Sequence, residues 1–338
     1  MLNKAIIDLE QLRKNALAVK CKLKGSTKLN AVVKADAYGH GAPVIANAVY
    51  NIVDSFSVAT VEEGVQLRLS GINKQILVLI PPLISDIANA VYYNLTVTVD
   101  SMRTVNALIS ECERQNRRAS VHIKFNSGMN RVGVDSLKEL DCLARKIVES
   151  KVLVLDGAFS HFACPEHKKS LNNALNKFSL ANILVKGYNN NATCHVSASG
   201  GFLSGVQGDM VRIGILLYGY KPFDSEVVNV KPIMKVFAPV IKGRKLTKNS
   251  TALYGDKQVQ ADCDIKLIRY GYADGLPRKE IFGQFNNRCM DQSAVITKEN
   301  SEWFCVMGNA EVLAKRYGTI SYEILTKCAI KARKIYLN

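Results

Sequence analysis

Over the first two thirds of the chain, short apolar runs alternate with stretches whose apolar residues recur at helical spacing. The runs are AVVKA (31–35), FSVAT (56–60), ILVLI (76–80), LTVTV (95–99), VHIKF (121–125), LDGAFSHF (155–162), TCHVSA (193–198) and VRIGILLYG (211–219). Each is short, bounded by turn residues and rich in β-branched or aromatic side chains, which is the pattern of a buried strand. Between them, SMRTVNALISECERQN (101–116) repeats Val105, Leu108 and Cys112, and VDSLKELDCLARKIVES (134–150) repeats Leu137, Leu140 and Ile147. Strands alternating with helices predict an α/β fold. Eight of them predict a (β/α)8 TIM barrel, because crossover helices must cover the outside of parallel strands. An open doubly wound sheet is the alternative.

Near residue 228 the pattern changes. IMKVFAPVIKG, DIKLIRYGYADG, SAVITKE and EILTKCAIKARKIYLN are β-rich, separated by turn residues and poor in helical periodicity. They predict a second, mainly antiparallel β-domain. The expected division is 1–228 for the barrel and 229–338 for the β-domain.

Composition narrows the function classes. The 338 residues are 48% hydrophobic and 22% charged, ordinary values for a globular protein with a sizeable core. No apolar run approaches the roughly 20 residues that cross a bilayer, and MLNKAIIDLE lacks the basic start and apolar centre of a secretory signal. A cytoplasmic protein without a membrane partner is expected. Nine cysteines are scattered without a Cys-x-x-Cys pair, which argues against structural zinc and against a closed disulfide framework. The net charge of +16 is spread along the chain, with only KGRKLTK (242–248) and KARK (331–334) locally basic. That distribution describes a solvated basic surface rather than a nucleic-acid footprint.

The candidate chemistry begins in VVKADAYGHG (32–41), where a buried run ends on Lys34. Barrel enzymes carry their catalytic groups at the C-terminal strand ends, and a partly desolvated amine there has a lowered pKa, so its neutral form can condense with an aldehyde. The same placement singles out His161 at the end of the sixth run, Ser199 after the seventh, and Gly214 and Ile215 in the eighth. Loops after the last two strands commonly hold a phosphate through backbone N–H groups, and SASGG (197–201) has residues small enough for close approach. A reactive lysine beside a phosphate cradle points to pyridoxal 5'-phosphate.

AVVKADAYGHG, GMNRVG (128–133), SHFA (160–163), VRIGILLYG, ALYG (252–255), RYGYADGLPR (269–278), CMDQ (289–292) and SYEIL (321–325) together resemble the motifs of the alanine racemases, fold-type III pyridoxal-phosphate isomerases, in family order. The resemblance implies a barrel followed by a β-domain, a homodimer with shared active sites, and a role in supplying D-alanine for peptidoglycan. It implies that Lys34 holds the cofactor and is one of two bases, and that Tyr254 is the other, acting in the partner's site. His161 matches the histidine that contacts this tyrosine, and Arg212 the arginine facing the pyridine nitrogen. Tyr38, Ser199, Gly214, Ile215 and Tyr322 match phosphate-binding positions. Arg131 matches the arginine near the cofactor's phenolic oxygen and the substrate carboxylate, which the Met290 N–H also meets, while Tyr272 narrows the way in. Asn126-Ser127 stands where many relatives have Asp-Thr, and Ala198-Ser199 where Asn-Ser is usual. Some members carry a carbamylated lysine at the position of Lys124, and here it would supply the anion that Asn126 lacks. A serine or broad-specificity racemase, a non-catalytic cofactor carrier and a decarboxylase of basic amino acids are the rival functions.

Overall fold

The structure, a computed structural model, describes residues 2–254, 257–278 and 288–338. Two compact units are present, one made of Leu12–Ala37 and Ala42–Lys231, the other of Met1–Gln11, Tyr38–Gly41 and Pro232–Asn338. By contacts, residues at the N-terminus and just after Lys34 group with the C-terminal third, whose main segment begins at Pro232.

The chain begins with β1 (Lys4–Asp8) and then lays down β2 (Lys28–Val32), β3 (Ser55–Val58), β4 (Ile76–Val78), β5 (Thr96–Val99), β6 (Ala119–Lys124), β7 (Leu153–Phe159), β8 (Thr193–His195) and β9 (Met210–Ile213). Strands β2 to β9 form one eight-stranded sheet in which every pairing is parallel and β2 lies between β3 and β9. The Ala198↔Arg212 bridge joins the two edges, so the sheet closes into the (β/α)8 barrel and excludes the open alternative. All eight expected runs fall on these strands, although Gly214 and Ile215 lie just past the end of β9 rather than within it. Helices cover the outside as the periodicity requires. Helix Met102–Gln115 buries Val105, Leu108 and Cys112, starts on the Ser101 cap and stops at Asn116 in the left-handed region. Helix Leu137–Glu149 starts with a reciprocal Ser136–Glu139 capping box and buries Leu140, Leu143, Ala144 and Ile147.

In the second unit, β10 (Met234–Leu246), β11 (Cys263–Ile268), β12 (Ser293–Ile296), β13 (Trp303–Met307) and β14 (Arg333–Leu337) combine with β1 in the order β12-β11-β10-β1-β14, with β13 also on β10. All pairings are antiparallel except β1 with β14. Strand β1 is absent from the predicted strands because only Ala5 and Ile7 of its five residues are buried. One expectation fails here. EILTKC belongs to helix Ser321–Cys328, preceded by helix Ala310–Tyr317 with its Asn309 cap and left-handed Gly318 stop. Ile324, Leu325 and Cys328 are buried at helical spacing, but eight residues are too few to separate the two periods in sequence.

Candidate active site

Parallel strands deliver their C-terminal ends to one mouth. There the barrel unit gathers Lys34 beyond β2, Lys124 at the end of β6, Arg131 in the following loop, His161 beyond β7, Ser199 beyond β8, and Arg212, Gly214 and Ile215 in and after β9. Lys34 opens a left-handed turn: Ala35, Asp36, Ala37 and Tyr38 have φ of 51°, 52°, 53° and 56°. Such a turn costs roughly 1–2 kcal/mol per residue and persists only where its surroundings enforce it, a form of strain that concentrates at functional sites.

The electrostatics of the mouth follow from four cations in a small volume. Burial lowers the pKa of the Lys34 amine, Arg131 and Arg212 lower it further, and Glu63 opposes them. Lys124, 4% exposed with Nζ 4.1 Å from the Phe159 ring centroid, is driven well below the usual lysine range by burial, then Arg212, then Arg131. Arg212 itself is pushed down to about 9 by burial and Arg131. His161 is held neutral by burial first and then by Arg212, Lys124, Arg131 and Lys34.

Arg212 is held by its hydrogens. Nη2 donates to Ser160 O (2.9 Å) and lies 3.3 Å from His161 Nδ1, and Nη1 donates to His195 Nδ1. A guanidinium only donates, so both imidazoles carry their proton on Nε2. His195 Nε2 then donates to His122 Nδ1 at 3.0 Å, and His122 Nε2 stands 3.6 Å from Asp156 Oδ2. His122, His195 and Asp156 are missing from the candidates chosen by sequence. Their signal was a histidine inside each of the strand runs VHIKF and TCHVSA.

The loop after β6 shows what Asn126 does in place of an aspartate. Its Oδ1 accepts from the Gly128 and Asn130 amides, and its Nδ2 donates to Asp135 Oδ1 at 2.7 Å. A carboxylate at 126 would face Asp135 with like charge. The loop folds back so that Val134 N donates to Lys124 O, and Gly133, at φ 117°, lies where a Cβ would stand 2.8 Å from that same oxygen. Gly133→Ala is expected to destabilise the protein by about 1–3 kcal/mol and to loosen the Arg131 loop, measured by urea unfolding and by the affinity for substrate.

Ser199 Oγ accepts from the Gly214 amide at 3.3 Å, and a Cβ on Gly200 or Gly201 would strike Pro165 or Phe162. Close-packed small residues, a hydroxyl and an unusually cationic surround suit a phosphate ester, and a half-buried amine suits its aldehyde. The residues present therefore fit pyridoxal 5'-phosphate.

The second unit holds the remaining candidates. Tyr38 and Tyr322 pack with ring centroids 5.9 Å apart; burial raises both phenols, Tyr322 to about 12. Tyr272 and Met290 lie on adjacent segments, with Tyr272 N donating to Cys289 O and Ala273 N to Met290 O. Tyr254 lies between the bridged residues Thr251 and Gln258 and is 64% exposed in the single chain. Gly255 of the ALYG motif lies outside the described residues.

A closed parallel barrel with a pKa-lowered lysine among the groups at its strand ends, together with a separate sheet unit, defines the class of barrel enzymes. Comparison with known proteins agrees. Residues 7–222 match the family described as "Alanine racemase, N-terminal domain" and residues 233–336 "Alanine racemase, C-terminal domain". The alanine racemase of Treponema denticola is 31% identical over 99% of this chain and 98% of its own length, and that of Streptococcus uberis 30% identical over 99% and 97%. The solved alanine racemase of Clostridium difficile 630 superposes with a TM-score of 0.91 at 28% identity, covering 100% of this chain and 96% of that one. The chain belongs to the alanine racemase family and is an isomerase.

Proposed function

We propose that this protein interconverts L-alanine and D-alanine with pyridoxal 5'-phosphate as cofactor, in the cytoplasm, and so supplies D-alanine for peptidoglycan. The observation that carries the reading is the Lys34 amine, half-buried at the barrel mouth with its pKa lowered by burial and by Arg131 and Arg212. Lys34 would hold the cofactor, with Tyr38, Ser199, Gly214, Ile215 and Tyr322 at its phosphate, Arg212 at its pyridine nitrogen and Arg131 at its phenolic oxygen. When bound, the cofactor supplies an electron sink that acidifies the α-hydrogen of an amino acid joined to it.

The chain's own residues then move one proton off the α-carbon and another on. Neutral Lys34 Nζ serves one face. The phenol oxygen of Tyr254 of the partner subunit serves the other. An ordinary tyrosine, with a pKa near 10, is a poor base at neutral pH. His161, whose Nδ1 faces Arg212, keeps Nε2–H as a donor for that phenolate. Beside His161 a cavity of about 470 Å³, lined also by Ser127, Met129 and Asn173, gives room for the partner's segment. Arg131 and the Met290 N–H would take the substrate carboxylate, with Tyr272 at the way in. Arginine cannot pass its proton to the pyridine nitrogen, which restrains side reactions such as transamination.

The test is direct. The protein with pyridoxal 5'-phosphate is incubated separately with L-alanine and L-serine, and the D-forms are quantified by chiral chromatography. D-alanine is expected to accumulate to an equal mixture, and faster than D-serine. Faster serine turnover would replace the substrate; no turnover of either would remove the reading.

A further inference from the structure

The left-handed turn at Lys34 leaves a question of support. Four successive non-glycine residues sit at φ between 51° and 56°, and the first amide after the lysine needs an acceptor that ordinary strand or helix geometry does not supply. That acceptor is Glu63. Its Oε1 accepts from the Ala35 amide at 2.7 Å and its Oε2 from the Ala59 amide at 2.6 Å. Ala59 directly follows β3 and Ala35 directly follows Lys34, so one carboxylate ties the end of β3 to the reactive lysine's own turn. Glu63 is well fixed to do this. It is the third residue of helix Val61–Leu69, whose Thr60 cap accepts from the Glu63 amide at 3.3 Å. A glutamate at this helical position commonly turns back to the amide of the cap; here it reaches past the cap to two other amides. The first turn of a helix also favours its negative charge.

We infer that Glu63 is the positioning residue of Lys34: its two carboxylate oxygens clamp the amides of Ala35 and Ala59, hold the left-handed turn in place and so aim the amine. The inference rests on the reading of Lys34 as the reactive amine and adds a residue that does not touch substrate or cofactor. The charge has a second consequence. Glu63 opposes Arg131 and Arg212 at the amine, so it moderates the lowering of the Lys34 pKa that burial begins.

Three full-length variants separate geometry from charge. Glu63→Asp keeps the charge but is one methylene short of spanning both amides. Glu63→Gln keeps the length but offers one acceptor and an N–H group in place of the second. Glu63→Ala removes both. Hydrogen-exchange mass spectrometry on segments 33–37 and 57–61 of the cofactor-free protein reads the clamp without any turnover. Exchange in both segments is expected to speed up by on the order of tenfold or more in all three variants, because charge-assisted bonds to the amides are lost. With cofactor, kcat is expected to fall on the order of a hundredfold with KM for alanine little changed, as a displaced catalytic group requires. The pH dependence of Lys34 acylation by an anhydride in the cofactor-free protein reads the charge. It is expected to shift to lower pH in Glu63→Gln and to stay in place in Glu63→Asp. Unchanged exchange in Glu63→Asp and Glu63→Gln would overturn the inference, as would faster exchange with kcat within twofold of wild type. Neither result would touch the role of Lys34, which stands or falls with Lys34→Ala.

Discussion

Lys34→Ala and Tyr254→Phe homodimers are each expected to lose racemase activity by on the order of a thousandfold, since each lacks one of two proton-transferring groups. An equimolar mixture allowed to exchange subunits is expected to recover about a quarter of wild-type activity per chain. Half of the dimers would then be mixed. In each mixed dimer one site has Lys34 from the Tyr254→Phe chain and the tyrosine from the Lys34→Ala chain, while the other site lacks both. The exposure of Tyr254 in the single chain and the cavity beside His161 support this arrangement. Differently tagged chains, purified through both tags, allow the mixed dimer to be assayed alone. A mixed dimer as inactive as its parents would sink the shared site, because two bases on one chain cannot complement across chains.

The cofactor-free protein is expected to lose stability steeply as pH falls below 6.5. His161 and His195 have pKa values well below the ordinary 6.5, both through burial first and Arg212 second. A chain that unfolds at pH 5 protonates both imidazoles, whereas the folded chain refuses those protons. The unfolded state therefore binds more protons in the window from the lowered folded pKa values up to 6.5, and stability rises with pH across that window. Each histidine contributes a slope of up to about 1.4 kcal/mol per pH unit. Urea unfolding between pH 5 and 7.5 reads the effect, and His195→Gln is expected to remove about half of the part of the slope that the two histidines contribute. A pH-independent midpoint across this range would mean that the folded barrel protonates its imidazoles, contrary to the arrangement of Arg212 between them.

Much of the barrel was legible because parallel strands are buried on both faces and show as unbroken apolar runs; FSVAT covers most of β3, and ILVLI and LTVTV contain β4 and β5. The helical stretches were legible for the complementary reason that one face stays wet. The second unit was harder. Strand β1 buries only alternate residues, and Ser321–Cys328 is too short for its period to be decisive. At the mouth, Lys34, His161 and Ser199 stood out by following or ending strand runs, since strand ends converge once strands are parallel, whereas Arg212 was found only through the family resemblance. Glu63 gave no such signal. Its value depends on reaching two amides, Ala35 and Ala59, of which one is 28 residues away in sequence.

By itself the sequence determined the alternation of runs, the order of family motifs and the residue types available for proton transfer, because these depend on local side-chain chemistry and spacing. Only the tertiary structure decided which charges lower one another's pKa, which nitrogen of His161 and His195 carries the proton, that Asn126 ties down its loop through Asp135, and that a left-handed turn hangs on one carboxylate. Coulomb and hydrogen-bond energies depend on distance and burial, and both come into being only when residues far apart in the chain are packed together.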